Sequence, residues 1–287
     1  METVTQALQA CWRMREACFA PVIRFSYPNS TKPVSVTGRV CELQCAHCGG
    51  HYLQHMLTLD EAERISDETV SSFLVSGGCT ADGKVPLQAH LERLASLKRG
   101  RKYNFHVGLL DEAEIAAVAT LADKVSFDFV GDDATIREVF GLDKTVGDYA
   151  QCYERLKQRC AVAPHVCIGL HGGEIKGEYQ AIDHLKKLGA DSVTFIVFVP
   201  TPGTRFAHCQ PPKAEEAADV LAYARRTLGC VPIQLGCMRP GGSYRRQLDV
   251  LAVKAGVNGI VNPTAEAEAV AKSLGLAVER HKECCVL

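Results

Sequence analysis

Neither sign of charge dominates this chain: 32 Lys plus Arg stand against 33 Asp plus Glu over 287 residues, a formal net charge of −1. No broad attraction to nucleic acid or to anionic lipid is therefore built in. The first residues, METVTQALQACWRMREACF, lack the basic start and unbroken apolar stretch of a secretory signal. No apolar run approaches the roughly 18 residues of a membrane-spanning helix; the most apolar segment is the short SVTFIVFVP at 192–200. No low-complexity linker marks a domain boundary. These absences predict a soluble, cytoplasmic protein without a nucleic-acid or membrane partner. At 47% hydrophobic residues, the chain can bury the core of one barrel or of two small domains.

What the chain has in excess is cysteine, 14 residues of it. In an unexported protein that points to thiolate chemistry or metal binding, because disulfides are uncommon in reducing compartments. Some cysteines read as small buried hydrophobes, namely Cys152 and Cys160 on a helical stretch and Cys167 in a strand.

Short runs rich in Val, Ile and Phe alternate with longer helical segments, the pattern of a parallel sheet with crossover helices. Eight strand candidates occur, at 33–38, 71–77, 103–109, 125–131, 165–170, 192–199, 231–236 and 257–261. Helices are predicted between them at 89–98, 111–122, 179–189, 214–229 and 265–275, where apolar residues recur every three or four positions. The fold class is α/β, a (βα)8 TIM-type barrel over 33–276. An N-terminal extension (1–32) and a C-terminal tail (277–287) both carry cysteines. Chemistry in such barrels sits at the C-terminal strand ends.

Directly after the first predicted strand comes CELQCAHC, with Cys41, Cys45 and Cys48 in one loop. Three close thiolates can hold three irons of a [4Fe–4S] cube and leave the fourth open to a small molecule. A zinc site with His47 or His51 as fourth ligand is the alternative. The loop resembles the signature of the radical S-adenosylmethionine (SAM) superfamily. That resemblance implies a three-cysteine [4Fe–4S] cluster whose open iron takes the amino and carboxylate groups of SAM, and reductive cleavage of SAM to a 5′-deoxyadenosyl radical. His47 stands where the family usually places an aromatic near the adenine. Gly77 and Gly78, after the second predicted strand, resemble the glycine-rich SAM motif, whose backbone approaches the ligand too closely for side chains. Cys79 follows where the family often has an acid.

Two further pairs, Cys11 with Cys18 and Cys284 with Cys285, would supply four thiolates for an auxiliary [4Fe–4S] cluster. The alternative for Cys11 and Cys18, seven apart on one helical face, is core packing. The last four residues also fit a prenylation box, with no polybasic segment to support it.

The segment TGRVCELQCAHCGGHYLQHM at 37–56, with ECC at 283–285 and GCMRP at 236–240, resembles the biotin-synthase-like group and, within it, the two-component lipoyl synthases of archaea and some bacteria. This resemblance implies sulfur insertion into an octanoyl chain on the lysine of a lipoyl carrier domain. It also implies a second radical SAM component and a low-potential donor such as ferredoxin or flavodoxin. Two alternatives remain open. One is a biotin-synthase-like enzyme on a small molecule, with Cys79, Cys167, Cys237 and Arg239 around a second cluster. The other is a non-catalytic iron–sulfur or zinc module.

Overall fold

The inner and outer faces of the strands differ in chemistry, and that difference organises the molecule. The computed structural model describes residues 4–66 and 68–287, residues 4–7 by backbone only. The strands are β1 (Val22–Ser26), β2 (Thr31–Ser35), β3 (Leu57–Thr58), β4 (Ser72–Ser76), β5 (Lys102–Val107), β6 (Lys124–Asp128), β7 (Val162–Ile168), β8 (Val193–Val197), β9 (Ile233–Leu235), β10 (Gly259–Val261) and β11 (Ala277–His281). Every pairing is parallel, in the order β11-β1-β10-β9-β8-β7-β6-β5-β4-β2-β3. The sheet curls as a TIM-type barrel does, and its hydrogen-bonded order has two ends, β11 and β3, rather than closing.

Alternate residues of a strand face opposite sides. One set, including Phe73, Val75, Phe105, Val125, Phe127, Phe195 and Leu235, is buried under the helices. The other set lies inside the curl and is polar: Asn104, His106, Ser126, Asp128, His165 and Gln234. His106 and Asp128 keep 33% and 48% of their side-chain surface accessible, so the inside of the curl is an open chamber and not a packed core.

All eight predicted strands are present, with ends shifted by a few residues. Three more were not predicted. β1 belongs to the segment read as an N-terminal extension, and β11 to the segment read as a tail; both join the sheet beside β10. β11, AVERH, escaped notice because it is an edge strand with a largely exposed, charged face. β3 is only two residues long. The Gly242–Lys254 helix was not among the predicted ones, and the Val4–Cys18 helix matches the helical alternative for Cys11 and Cys18.

Beyond β11 the chain passes towards the start of β2. Ser30 N donates to Lys282 O at 2.9 Å, Ser71 Oγ to Glu283 at 2.8 Å, and Cys284 N to Thr31 Oγ1 at 2.8 Å. Cys285 and Val286 then pack on Ala163 of β7 and Val261 of β10. The tail thus crosses the N-terminal mouth of the curl and forms a floor to the chamber. Among the described residues no helix is long and apolar enough to cross a membrane.

Candidate active site

The three-cysteine loop follows β2 at the C-terminal mouth. Backbone bonds pin it from several sides: Glu42 N to Cys79 O at 2.9 Å, Ala46 N to Val139 O at 2.7 Å, and Phe206 N to Ala46 O at 3.0 Å. Gln44 takes a left-handed φ of 48°, and its Nε2 donates to Cys41 O at 2.8 Å. Ligand atoms of Cys45, His47 and Cys48 all lie within 4.8 Å of one another. Cys41 stands outside this tight group, its Sγ 3.9 Å from Cys79 O. The His47 ring packs edge-on to Phe140 at 5.7 Å, and its Nδ1 is buried without a hydrogen-bond partner.

Cys45 and Cys48 share one proton. The hydrogen bond from Cys45, then His47, holds Cys48 down to about 4 against the opposing effect of burial. The same bond to Cys48, with burial, drives Cys45 far up. A thiolate is therefore available at Cys48 at neutral pH.

The Ser76–Cys79 turn after β4 lies against this loop. Gly78 N donates to Thr37 Oγ1 at 2.7 Å. A Cβ at Gly78 would come within 1.9 Å of Val40 O and 2.6 Å of Cys41 Cα, whereas one at Gly77 would meet only side chains, at 3.1 Å. The glycine requirement thus falls on Gly78, through backbone contact with the cysteine loop itself. The Cys79 thiol is pushed up to about 12, first by burial and then by Cys41, Asp128 and Cys48.

Below the loop lies the chamber. His106 Nε2 stands 3.3 Å from Asp128 Oδ1, and the His106 and His165 rings are 5.6 Å apart. Burial works against charge on His106, but Asp128 prevails and raises it; His106 in turn holds Asp128 down to about 2 despite burial. Burial, with His106 beside it, lowers His165 to about 4. His165 Nδ1 donates to Ala163 O at 3.0 Å, which leaves its Nε2 an acceptor. Tyr52, hydrogen-bonded to Thr201 at 3.3 Å, feels Cys48 on one side and Cys167 and Cys237 on another. The floor supplies Cys284, whose sulfur receives a hydrogen bond from Asn104 Nδ2 at 3.7 Å. Cys285, the Val286 amide and Asn104 lower Cys284 to about 6 against burial. Cys237 and Cys284 lie within each other's field, as do Cys237 and Cys285.

The two cysteine pairs expected to share a cluster are not brought together. Cys11 is fully buried on the Val4–Cys18 helix, its Sγ 3.3 Å from Ala222 O and 3.7 Å from Arg226 Nη1. Cys18 is joined to Cys230 in a disulfide. Both belong to the packing of that helix on its neighbours, because residues seven apart share a face. Cys284 and Cys285 lie in the tail at the N-terminal mouth, Cys285 packed with Ala163 and Val261, and the exposed Cys237, just after β9, is within electrostatic reach of both. The alternative four-residue set is divided too. Cys79 lies with the cluster loop, and the Arg239 guanidinium is consumed by Asp249 at 2.7 and 3.0 Å and by the carbonyls of Gly236 and Val261. Near the same mouth, His171 pairs with Glu138 at 3.3 Å, and Arg205 donates to Glu138 O.

Sequence reasoning missed the chamber lining. Its signal was present in YNFHVGL and VSFDFVG, where Asn104, His106, Ser126 and Asp128 occupy alternate positions between aromatic and aliphatic residues.

No family model and no curated protein sequence matches the chain. Solved structures do resemble it. Methylornithine synthase (PylB) superposes with a TM-score of 0.66 at 14% identity, covering 96% of this chain and 89% of that one. The FeFe-hydrogenase maturase HydG from Carboxydothermus hydrogenoformans gives 0.69 at 17% identity, with 96% and 72% covered. Coproporphyrinogen III oxidase (HemN) from Escherichia coli, described as a radical SAM enzyme, gives 0.50 at 11% identity, over 76% and 56%. At these identities the likeness is one of fold.

Proposed function

We propose that the chain is a radical SAM enzyme that forms carbon–sulfur bonds at unactivated carbon, with the octanoyl group of a lipoyl carrier domain as substrate. What supports this reading is a second group of thiols besides the Cys41–Cys45–Cys48 loop: Cys284 meets the chamber through Asn104, Cys285 is its neighbour in the tail, and Cys237, just after β9, lies within the electrostatic reach of both. The residues fit a [4Fe–4S] cluster and SAM. Three thiols sit in one loop, a buried imidazole nitrogen has no partner there, and Gly78 lets the turn after β4 pack its backbone directly on that loop.

When bound, that pair supplies a 5′-deoxyadenosyl radical able to take hydrogen from carbon, chemistry that no acid or base on the protein could perform. Cys41, Cys45 and Cys48 would hold the cluster, and the Gly77–Gly78 backbone would border the methionine end of SAM. Tyr52, hydrogen-bonded to Thr201, is within the field of Cys48, Cys167 and Cys237. Cys237, Cys284 and Cys285 would hold the sulfur source, an auxiliary cluster. The walls of the chamber exclude bulk water from a reactive carbon. A low-potential donor such as ferredoxin or flavodoxin would supply the electron, and a second component of the same class would complete a two-sulfur product.

One observation favours a second reading, a small polar substrate: the chamber is lined by Asn104, His106, Ser126, Asp128, His165 and Gln234, poor company for an eight-carbon chain. Reconstituted enzyme with SAM and a low-potential reductant, given an octanoylated carrier domain, tests both. A gain of sulfur mass on the carrier supports the first reading. SAM consumption that responds to dethiobiotin or another small polar compound and not to the carrier replaces it with the second.

A further inference from the structure

The cysteine loop has a fourth thiol beside it. Cys79 belongs to the turn after β4, 38 residues from Cys41, yet the fold presses the two segments together. Cys41 Sγ lies 3.9 Å from Cys79 O, Glu42 N donates to the same carbonyl at 2.9 Å, and Gly78 abuts Cys41 so closely that no Cβ fits between them. The Cys79 sulfur lies within the electrostatic reach of all three loop thiols. Three thiolates leave one iron of a cube without a protein ligand, and a soft iron next to a fourth thiol will take it in preference to water.

We propose that Cys79 is the fourth protein ligand of the cluster when SAM is absent, capping the open iron until SAM displaces it. This rests on the radical SAM reading. In the exchange one iron–sulfur bond, to Cys79, breaks, and the amino and carboxylate groups of SAM bond to the same iron. The proton lost by the SAM ammonium passes to the departing thiolate, and no electron moves. The cap has two consequences. The fourth iron, otherwise held by solvent alone, is retained against oxidants, and SAM must compete with a tethered thiolate, so its affinity is lower than at an open iron.

The test uses anaerobically reconstituted full-length wild type, Cys79→Ala and Cys79→Ser without SAM, each treated with ferricyanide and an iron chelator. Cys79→Ala should release about one iron per chain and develop the electron paramagnetic resonance signal of a three-iron cluster, while the wild type does neither. SAM added beforehand should protect the alanine variant, and equilibrium dialysis should show it binding SAM about tenfold more tightly than wild type, roughly 1.4 kcal/mol. Cys79→Ser keeps the side-chain volume, so if alanine disturbs the turn, serine still reports whether the sulfur is needed. Equal iron release from wild type and both variants overturns the cap while leaving the cluster assignment standing. A Cys41/Cys45/Cys48 triple alanine variant that holds as much iron as wild type overturns the underlying reading and the cap with it.

Discussion

Thr37 and Gly78 join the cysteine loop to the turn after β4 through one hydroxyl: Gly78 donates its N–H to Thr37 Oγ1 at 2.7 Å, and that hydroxyl donates onward to Val40 O at 2.9 Å. The turn after β4 is thereby fixed against the strand exit that leads into Cys41. Gly78→Ala forces backbone apart from backbone, since its Cβ would sit 1.9 Å from Val40 O. It should cost about 1–3 kcal/mol and abolish iron loading, whereas Gly77→Ala, which meets movable side chains, should load iron and weaken only SAM binding. Iron analysis beside urea unfolding checks both. Normal loading in Gly78→Ala would show that this backbone contact is not required.

Replacing Cys41, Cys45 or Cys48 singly with alanine should eliminate release of 5′-deoxyadenosine from SAM, because each change removes one iron's only protein ligand. The fold should persist, as these side chains line a loop and not the sheet. Chromatography of the reaction mixture, with far-ultraviolet circular dichroism as the folding control, decides it; undiminished release in any one variant refutes the superfamily reading.

A different outcome is expected at Cys237 and at the two cysteines of the chamber floor. Cys237→Ala and the Cys284→Ala/Cys285→Ala double variant should still cleave SAM but fail to transfer sulfur, with iron content reduced by about half. If iron content stays at the wild-type value, these thiols hold no second cluster. The sequence grouped Cys284 and Cys285 with Cys11 and Cys18, which the fold holds on the Val4–Cys18 helix, apart from the tail. Nothing in the spacing of residues 11 and 18 distinguishes a helix face packed on the Ala214–Leu228 helix from a ligand pair. The loop of Cys41, Cys45 and Cys48 was legible because its chemistry is local. The eight strands were legible because their helix-facing positions carry Val, Ile, Leu and Phe in short runs bounded by turn residues. The floor of the chamber was not legible, because it depends on where the chain after β11 goes, and the polar chamber lining was hidden inside strands whose other face is apolar.

Arg239 and Asp249 form a fully buried pair, with both side chains at 0% exposure, that also ties β9 to β10 through Gly236 O and Val261 O. Removing one partner strands a buried charge, so Arg239→Met or Asp249→Leu alone should destabilise by about 3–5 kcal/mol, and the double replacement by clearly less than the sum. A cluster-ligand role for Arg239 predicts something else, loss of iron without loss of stability. Denaturant titration of the iron-free chain separates the two.

His165 sets a pH dependence whose sign follows from its direction of shift. In the folded chain it is lowered to about 4, below the roughly 6.5 of an unfolded imidazole. Between those two values the unfolded state binds more protons than the folded one, so stability falls as pH drops from about 6.5 to about 4 and levels off below that. His106 is raised instead; its pairing with Asp128 stabilises the fold below the ordinary imidazole value and loses that effect as pH rises through the raised one, outside the acid window in question. Allowing for the part of His165 that touches the chamber's solvent, the acid loss from this residue is about 1–3 kcal/mol. His165→Gln, which preserves a polar side chain without a titrating ring, should shrink the difference in unfolding free energy between about pH 7 and about pH 4 by that amount. An unchanged pH slope in the variant would mean that His165 takes up its proton in the folded chain over the same pH range as in the unfolded one, and that its burial does not lower it.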